Sequence, residues 1–152
     1  IQLDKEYGLS KYLIKDFCRF YLQTYNLRLF GVFGKYESQT RFITYCINQK
    51  LANKAVKIPF NKSIDYLYIN DLVKIVDWFI INRPLGYTYD ICTSQPVKLS
   101  AIANILKVKN RVGQDSEEVY SGYNTPLLRE MGSFKFTPIE TAIKELYGYY
   151  KT

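Results

Sequence analysis

Leu13, Ile14, Phe17, Cys18 and Tyr21 recur at helical spacing, with Lys11, Lys15, Arg19 and Gln23 on the opposite stripe. This pattern predicts an amphipathic helix from about Glu6 to Tyr25, ended at Asn26. Leu27 to Phe30 reads as a short strand, Gly31 to Tyr36 as a loop, and Gln39 to Leu51 as a second helix. Ala55 to Ile58 is expected to be a strand stopped by Pro59, which has no N–H for a ladder. Ile64 to Ile69 is expected to be another strand. Asn70 or Asp71 is placed to cap a helix with the stripe Leu72, Ile75, Val76, Phe79 and Ile80, ending before Pro84. Tyr87 to Cys92 is largely apolar, as suits a buried parallel strand. Ser100 is read as the cap of a helix carrying Ile102, Ile105 and Leu106. Asn110 to Glu118 is polar and reads as a loop leading to a short strand at Glu118 to Tyr120. Thr137-Pro138-Ile139-Glu140 combines an N-cap Thr, a first-turn Pro and a capping-box Glu. It should open a last helix that buries Ile143, Leu146, Tyr147 and Tyr150.

Helix and strand signals alternate, which predicts an α/β architecture. The 152 residues are 47% hydrophobic and 23% charged, enough for a sizeable core and unlike a disordered chain. There is no His, which excludes Ser-His-Asp and Cys-His catalysis and any His-ligated metal. The net charge is +7, but no two basic residues are adjacent. That balance suits a solvated Lys-rich surface or an anionic small-molecule ligand. Nucleic acid is not expected, because no binding motif accompanies the charge. Cys18, Cys46 and Cys92 are odd in number, far apart and set in apolar surroundings, so they read as buried thiols of a reducing compartment. No apolar run approaches the roughly 20 residues that cross a bilayer, so no membrane contact and a cytoplasmic location are expected.

Tyr7 and Lys11 stand one helical turn apart, on one face. A free phenol, with a pKa of about 10, is a poor base at neutral pH. A cation within roughly 4–6 Å favours the phenolate, which can take a proton from a sugar hydroxyl or return one to a ketone. An exposed i,i+4 pair without function has the same spacing.

Further segments follow in order: Tyr7-Gly8-Leu9-Ser10-Lys11, Leu27-Arg28-Leu29-Phe30-Gly31-Val32-Phe33-Gly34, and Asp65-Tyr66-Leu67-Tyr68-Ile69-Asn70-Asp71-Leu72. After them come Tyr87 to Cys92, Gln95 to Ser100, and Phe134 to Glu140. Together they resemble the C-terminal half of the extended short-chain dehydrogenase/reductase family, the NAD-dependent sugar-nucleotide epimerases and dehydratases. The resemblance implies the C-terminal part of a Rossmann-type NAD(P)-binding fold with a small α/β substrate-binding domain. Residues 1–35 would end the Rossmann-type domain and 36–152 would be mainly substrate-binding, with a strand and helix near 64–92 returning to the Rossmann-type sheet.

The resemblance also implies site residues. Tyr7 would be the catalytic acid/base, and Lys11 would favour its phenolate and bind the nicotinamide ribose. Phe30 matches a position packed near the nicotinamide. Gly31 matches a substrate-touching position that usually holds Asn. Ile58, Pro59 and Phe60 match the strand edge that lines the nucleotide base. Ile64 stands where many relatives carry an Arg for the diphosphate; Lys62 is the nearest substitute, as a point charge rather than a fork, and Arg41 is a comparable candidate. No G-x-G-x-x-G or G-x-x-G-x-x-G occurs. The resemblance therefore implies that the dinucleotide-binding half is absent, that NAD or NADP has no adenylate site here, and that the chain alone is inactive. A nucleotide-sugar substrate and a homodimer through the Tyr7 helix are the implied partners. The alternative is a non-catalytic interaction or regulatory relative, suggested by Gly31 and Ile64.

Overall fold

A computed structural model describes residues 6–21 and 24–151. Its elements run α1 (Glu6–Cys18), β1 (Asn26–Leu29), β2 (Gly31–Phe33), α2 (Phe42–Leu51), β3 (Val56–Ile64), β4 (Tyr66–Tyr68) and α3 (Ile69–Asn82). They continue with β5 (Thr88–Ile91), β6 (Val97–Lys98), α4 (Leu99–Ile105), β7 (Asn110–Tyr120), α5 (Thr125–Met131) and α6 (Ile139–Lys151). β1 pairs parallel with β5, and β2 parallel with β4. β3 lies between β7, parallel to it, and β6, antiparallel to it. The α/β class with parallel strands is as expected.

Two cores result from the period-two alternation of side chains along the middle strands. Tyr66 and Tyr68 of β4 and Phe33 of β2 face one core, with Ile43, Ile58, Ile102 and Ile143. Leu67 and Val32, their strand neighbours, face the other, with Ile75, Phe79, Tyr89 and Ile91. The β2–β4 pair is therefore the shared wall. One residue on each strand marks the step between sheets. Phe30 separates β1 from β2, and Asp65 separates β3 from β4; the Gly31 N–H donates to the Asp65 carbonyl at 2.9 Å. Asp65 is fully buried. Its Oδ1 accepts from the Thr93 N–H (2.9 Å) and hydroxyl (2.7 Å), and its Oδ2 accepts from the Ser121 hydroxyl (2.7 Å).

Several predicted boundaries move for identifiable reasons. α1 ends at Cys18, not near Tyr25, because the Tyr25 ring packs 5.1 Å from Phe79 and its hydroxyl donates to the Pro84 carbonyl. Gln23 lies outside the described residues. Gly31–Phe33 is a strand rather than loop, held by β4. β3 runs through Pro59; β6 pairs with β3 only at Ser63 and Ile64, so among the described residues no strand flanks Pro59 on that side. Asn110–Tyr120 is one strand rather than a loop, polar because most of it is exposed while its backbone pairs with β3.

The expected caps act elsewhere. Tyr68 holds the N-cap position of α3, without a side-chain bond. Asp71 is buried in the first turn, where it accepts from the Thr137 N–H (2.6 Å) and hydroxyl (2.9 Å) and pairs with Lys74 at 3.1 Å. Lys98, not Ser100, precedes α4, and the Ser100 N–H donates to Asn61 Oδ1. The first helix keeps its apolar stripe, but only Cys18 of it is buried; Leu13, Ile14, Phe17 and Tyr21 are exposed. Val76 and Ile80 of α3 are exposed as well. Cys18, Cys46 and Cys92 are free and buried.

Candidate active site

Tyr7 and Lys11 project from α1 into one cleft of about 460 Å³, whose other wall is β1 from Asn26 to Leu29. The Lys11 ammonium sits 5.2 Å from the centre of the Tyr7 ring, over its face. The helical repeat alone produces this juxtaposition, because residues four apart overlap in projection. Lys15 and Arg28 also border the cleft, so it is cationic. Arg28 is held from behind by Asp90, with Nε 2.5 Å from Oδ1.

β1 leads from this cleft into a second one. Leu29 borders the first, and the next residue, Phe30, lines a cavity of about 300 Å³ with Gly31, Arg41, Ile64, Tyr66 and Tyr120. The Phe30 and Tyr120 rings pack 5.3 Å apart. Arg41 is half exposed; its Nη2 donates to the Val32 carbonyl at 2.9 Å, and its Nε lies 3.7 Å from Glu37 Oε2. The structure thus brings Phe30, Gly31 and Arg41 together. Gly31 is required by close packing: a Cβ there would lie 2.5 Å from the Asp65 carbonyl oxygen. An Asn could not replace it without moving β4.

The strand-edge candidates sit elsewhere. Ile58 is fully buried in the first core, and its side chain does not line the cavity. Pro59 and Phe60 are both exposed, a break in the buried–exposed alternation of β3, and neither lines the cavity. Lys62 is also outside it, and its ammonium pairs with Glu118 at 3.0 Å. Glu37, Tyr66 and Tyr120 are among the cavity's residues that the sequence did not mark as site candidates. Glu37 carried one faint signal, its i,i+4 spacing to Arg41; Tyr66 carried none. No described helix is long and apolar enough to cross a membrane.

Parallel strand pairs walled by helices, with a Tyr-Lys helix beside the first strand, define an α/β protein of the Rossmann-like class. The model of the NAD dependent epimerase/dehydratase family matches residues 2–92, and the chain belongs to that family. Its fold is shared by solved structures of low sequence identity. A GDP-L-fucose synthetase from Naegleria fowleri bound to NADP matches at 16% identity and a TM-score of 0.82, over 99% of this chain and 55% of that one. An ADP-L-glycero-D-manno-heptose-6-epimerase from Helicobacter pylori matches at 20% and 0.81, over 96% and 50%. A UDP-glucuronic acid 4-epimerase from Bacillus cereus, in complex with UDP-glucuronic acid and NAD, matches at 16% and 0.76, over 95% and 52%. The chain therefore spans about half the length of these structures. No curated protein matches it significantly.

Proposed function

We propose that this chain carries the acid/base and sugar-binding part of an enzyme that remodels nucleotide-linked sugars by transient oxidation. The observation that carries this reading is the convergence of Tyr7 and Lys11 on a cationic cleft that β1 connects to the Arg41 cavity. The cleft fits the nicotinamide-ribose end of NAD or NADP: it offers a phenol, an ammonium and the apolar side chains Ile14, Leu27 and Leu29. When bound, that cofactor supplies a reversible hydride acceptor. The Tyr7 phenolate takes the proton of the sugar hydroxyl whose carbon is oxidised, and later returns a proton to the carbonyl oxygen. Lys11, placed over the Tyr7 ring, binds ribose hydroxyls. Phe30 separates the two sites, and Gly31 and Arg41 contact the substrate, Arg41 as a donor to its phosphates. Among the described residues no Gly-rich turn offers a cradle for the cofactor's pyrophosphate.

The test uses the product of the complete reading frame, NAD or NADP, and a panel of UDP-, GDP-, CDP- and dTDP-sugars. Turnover of one of them is expected, with Tyr7→Phe slower by about a hundredfold or more. Full activity in that variant would remove Tyr7 from the mechanism. The second reading, a non-catalytic relative retaining the fold, draws on Gly31 and Ile64, which bring no polar side-chain atom to the cavity wall. Silence from the whole panel would favour it.

The two cores support a division of the chain. Tyr25, Leu27 and Val32 join Leu67, Ile75, Phe79, Tyr89 and Ile91 in one core, α2, α4, α6 and β3 build most of the other, and the β2–β4 pair faces both, so the boundary proposed at 1–35 and 64–92 runs through that shared wall. Amide exchange would show it as two protection classes, and a single class would argue against it. The exposed stripe Leu13, Ile14, Phe17 and Tyr21 favours a homodimer through α1. Phe17→Glu should then shift the sedimenting species from dimer to monomer; a monomeric parent would contradict the assignment.

A further inference from the structure

The sequence scatters its basic residues, and the fold gathers five of them. β3 and β7 pair parallel with Lys57 beside Arg111, and the Val56 N–H donates to the Lys109 carbonyl at 2.8 Å. Side chains alternate along each strand, and register partners of parallel strands share a face. Lys57, Lys109 and Arg111 therefore lie on one face of the sheet, while Val56, Ile58 and Val108 turn into the first core. The turns that lead into the two strands add Lys54 and Lys107, and Lys50 Nζ ties those turns together by donating to the Leu106 carbonyl. All five cations are exposed, and among the described residues none pairs with a carboxylate. No Asp or Glu occurs between Glu37 and Asp65 or between Asp90 and Asp115, so the segments that build the patch contain no acid. Like charges held side by side repel one another, and an anionic surface laid over them relieves that repulsion.

Shape and chemistry narrow the choice of surface. Beyond the cations the same face continues through Pro59 and Gly113, which leave it flat. A duplex groove takes a narrow helix or ribbon, and a broad sheet face does not enter one. Neither residues 50–58 nor 104–114 contain an aromatic ring to stack on a base. Four of the five cations are Lys, mobile point charges rather than the planar forks that grip a fixed phosphate. Leu51 and Val112, in the same two segments, are exposed aliphatic residues. Lysines mixed with exposed aliphatic surface suit fluid, negatively charged headgroups above an acyl layer. We propose that the face carrying Lys54, Lys57, Lys107, Lys109 and Arg111 docks this chain on an anionic phospholipid bilayer. This replaces the expectation of no membrane contact: no described helix can cross a bilayer, but a flat cationic face can lie against one. The inference is independent of the sugar-nucleotide reading, since none of the five residues lines the Tyr7 cleft or the Arg41 cavity.

The test is co-sedimentation of the product of the complete reading frame with phosphatidylcholine vesicles, with and without phosphatidylserine. Binding is expected only where phosphatidylserine is present, and it should weaken steeply as salt is raised. A variant combining Lys54→Gln, Lys57→Gln, Lys107→Gln and Lys109→Gln should bind those vesicles about a hundredfold more weakly. It should also melt like the parent, because all four side chains are exposed and unpaired. A control combining Arg83→Gln, Lys135→Gln, Lys144→Gln and Lys151→Gln removes the same charge elsewhere and should bind like the parent. No binding to the phosphatidylserine vesicles, or equal binding to phosphatidylcholine alone, would overturn the proposal. An equal loss in the control would trace the effect to net charge and overturn it too. So would tighter binding to a random-sequence DNA duplex than to the vesicles, lost in the first variant, which would assign the patch to nucleic acid.

Discussion

Asp65 offers the sharpest test of how the site is held. It is the residue at which the chain steps from β3 to β4, and its carboxylate ties that step to the ends of β5 and β7 through Thr93 and Ser121. Asp65→Ala leaves three donors without their acceptor, one of them a backbone N–H. A hydrogen bond to a charged group contributes about 1.5–3 kcal/mol, and bonds that share one acceptor group do not add fully. The expected loss is about 3–5 kcal/mol, a large share of the stability of an ordinary domain. Asp65→Asn should cost clearly less, because its amide oxygen can still accept both bonds from Thr93, and the Ser121 hydroxyl can turn to accept from the amide nitrogen. Urea unfolding measures both variants through the midpoint at constant slope. A loss below about 1 kcal/mol for Asp65→Ala, or Asn as damaging as Ala, would refute the network as the clamp of this crossing.

Two further outcomes follow from packing. Burial pushes the Cys46 thiol from its ordinary 9.0 up to about 12. Its raised folded-state value means that this contribution to stability is whole below pH 9.0 and is lost as pH climbs toward about 12, at up to about 1.4 kcal/mol per pH unit. Cys46→Ala should flatten that alkaline decline in urea titrations, and an unchanged slope would contradict it. Gly31→Ala should lower stability by about 1–3 kcal/mol, since its Cβ meets the Asp65 carbonyl oxygen at 2.5 Å. A neutral result in thermal unfolding would show that β4 yields more easily than its pairing suggests.

Local periodicity made much of this chain legible. The stripe of α6, the core positions Ile75 and Phe79 of α3, and the apolar run of β5 all depend on neighbours within one or two turns or alternate residues, which a linear pattern preserves. Tyr7 and Lys11 belong to the same class: four residues apart, they share a cleft because the helix repeats that way. What the pattern left open was decided by long-range partners. β7 is polar and β3 contains a proline, yet both are strands because each completes the other's backbone ladder. Asp71 and Thr137 resemble caps of their own helices but satisfy each other across 66 positions of sequence. Glu37 and Tyr66 acquire a shared cavity only through the tertiary packing around the β2–β4 pair. Spacing determines which side chains share a face of one element; only the packed fold determines which faces meet, because that choice is set by buried area and hydrogen-bond completion across the whole chain.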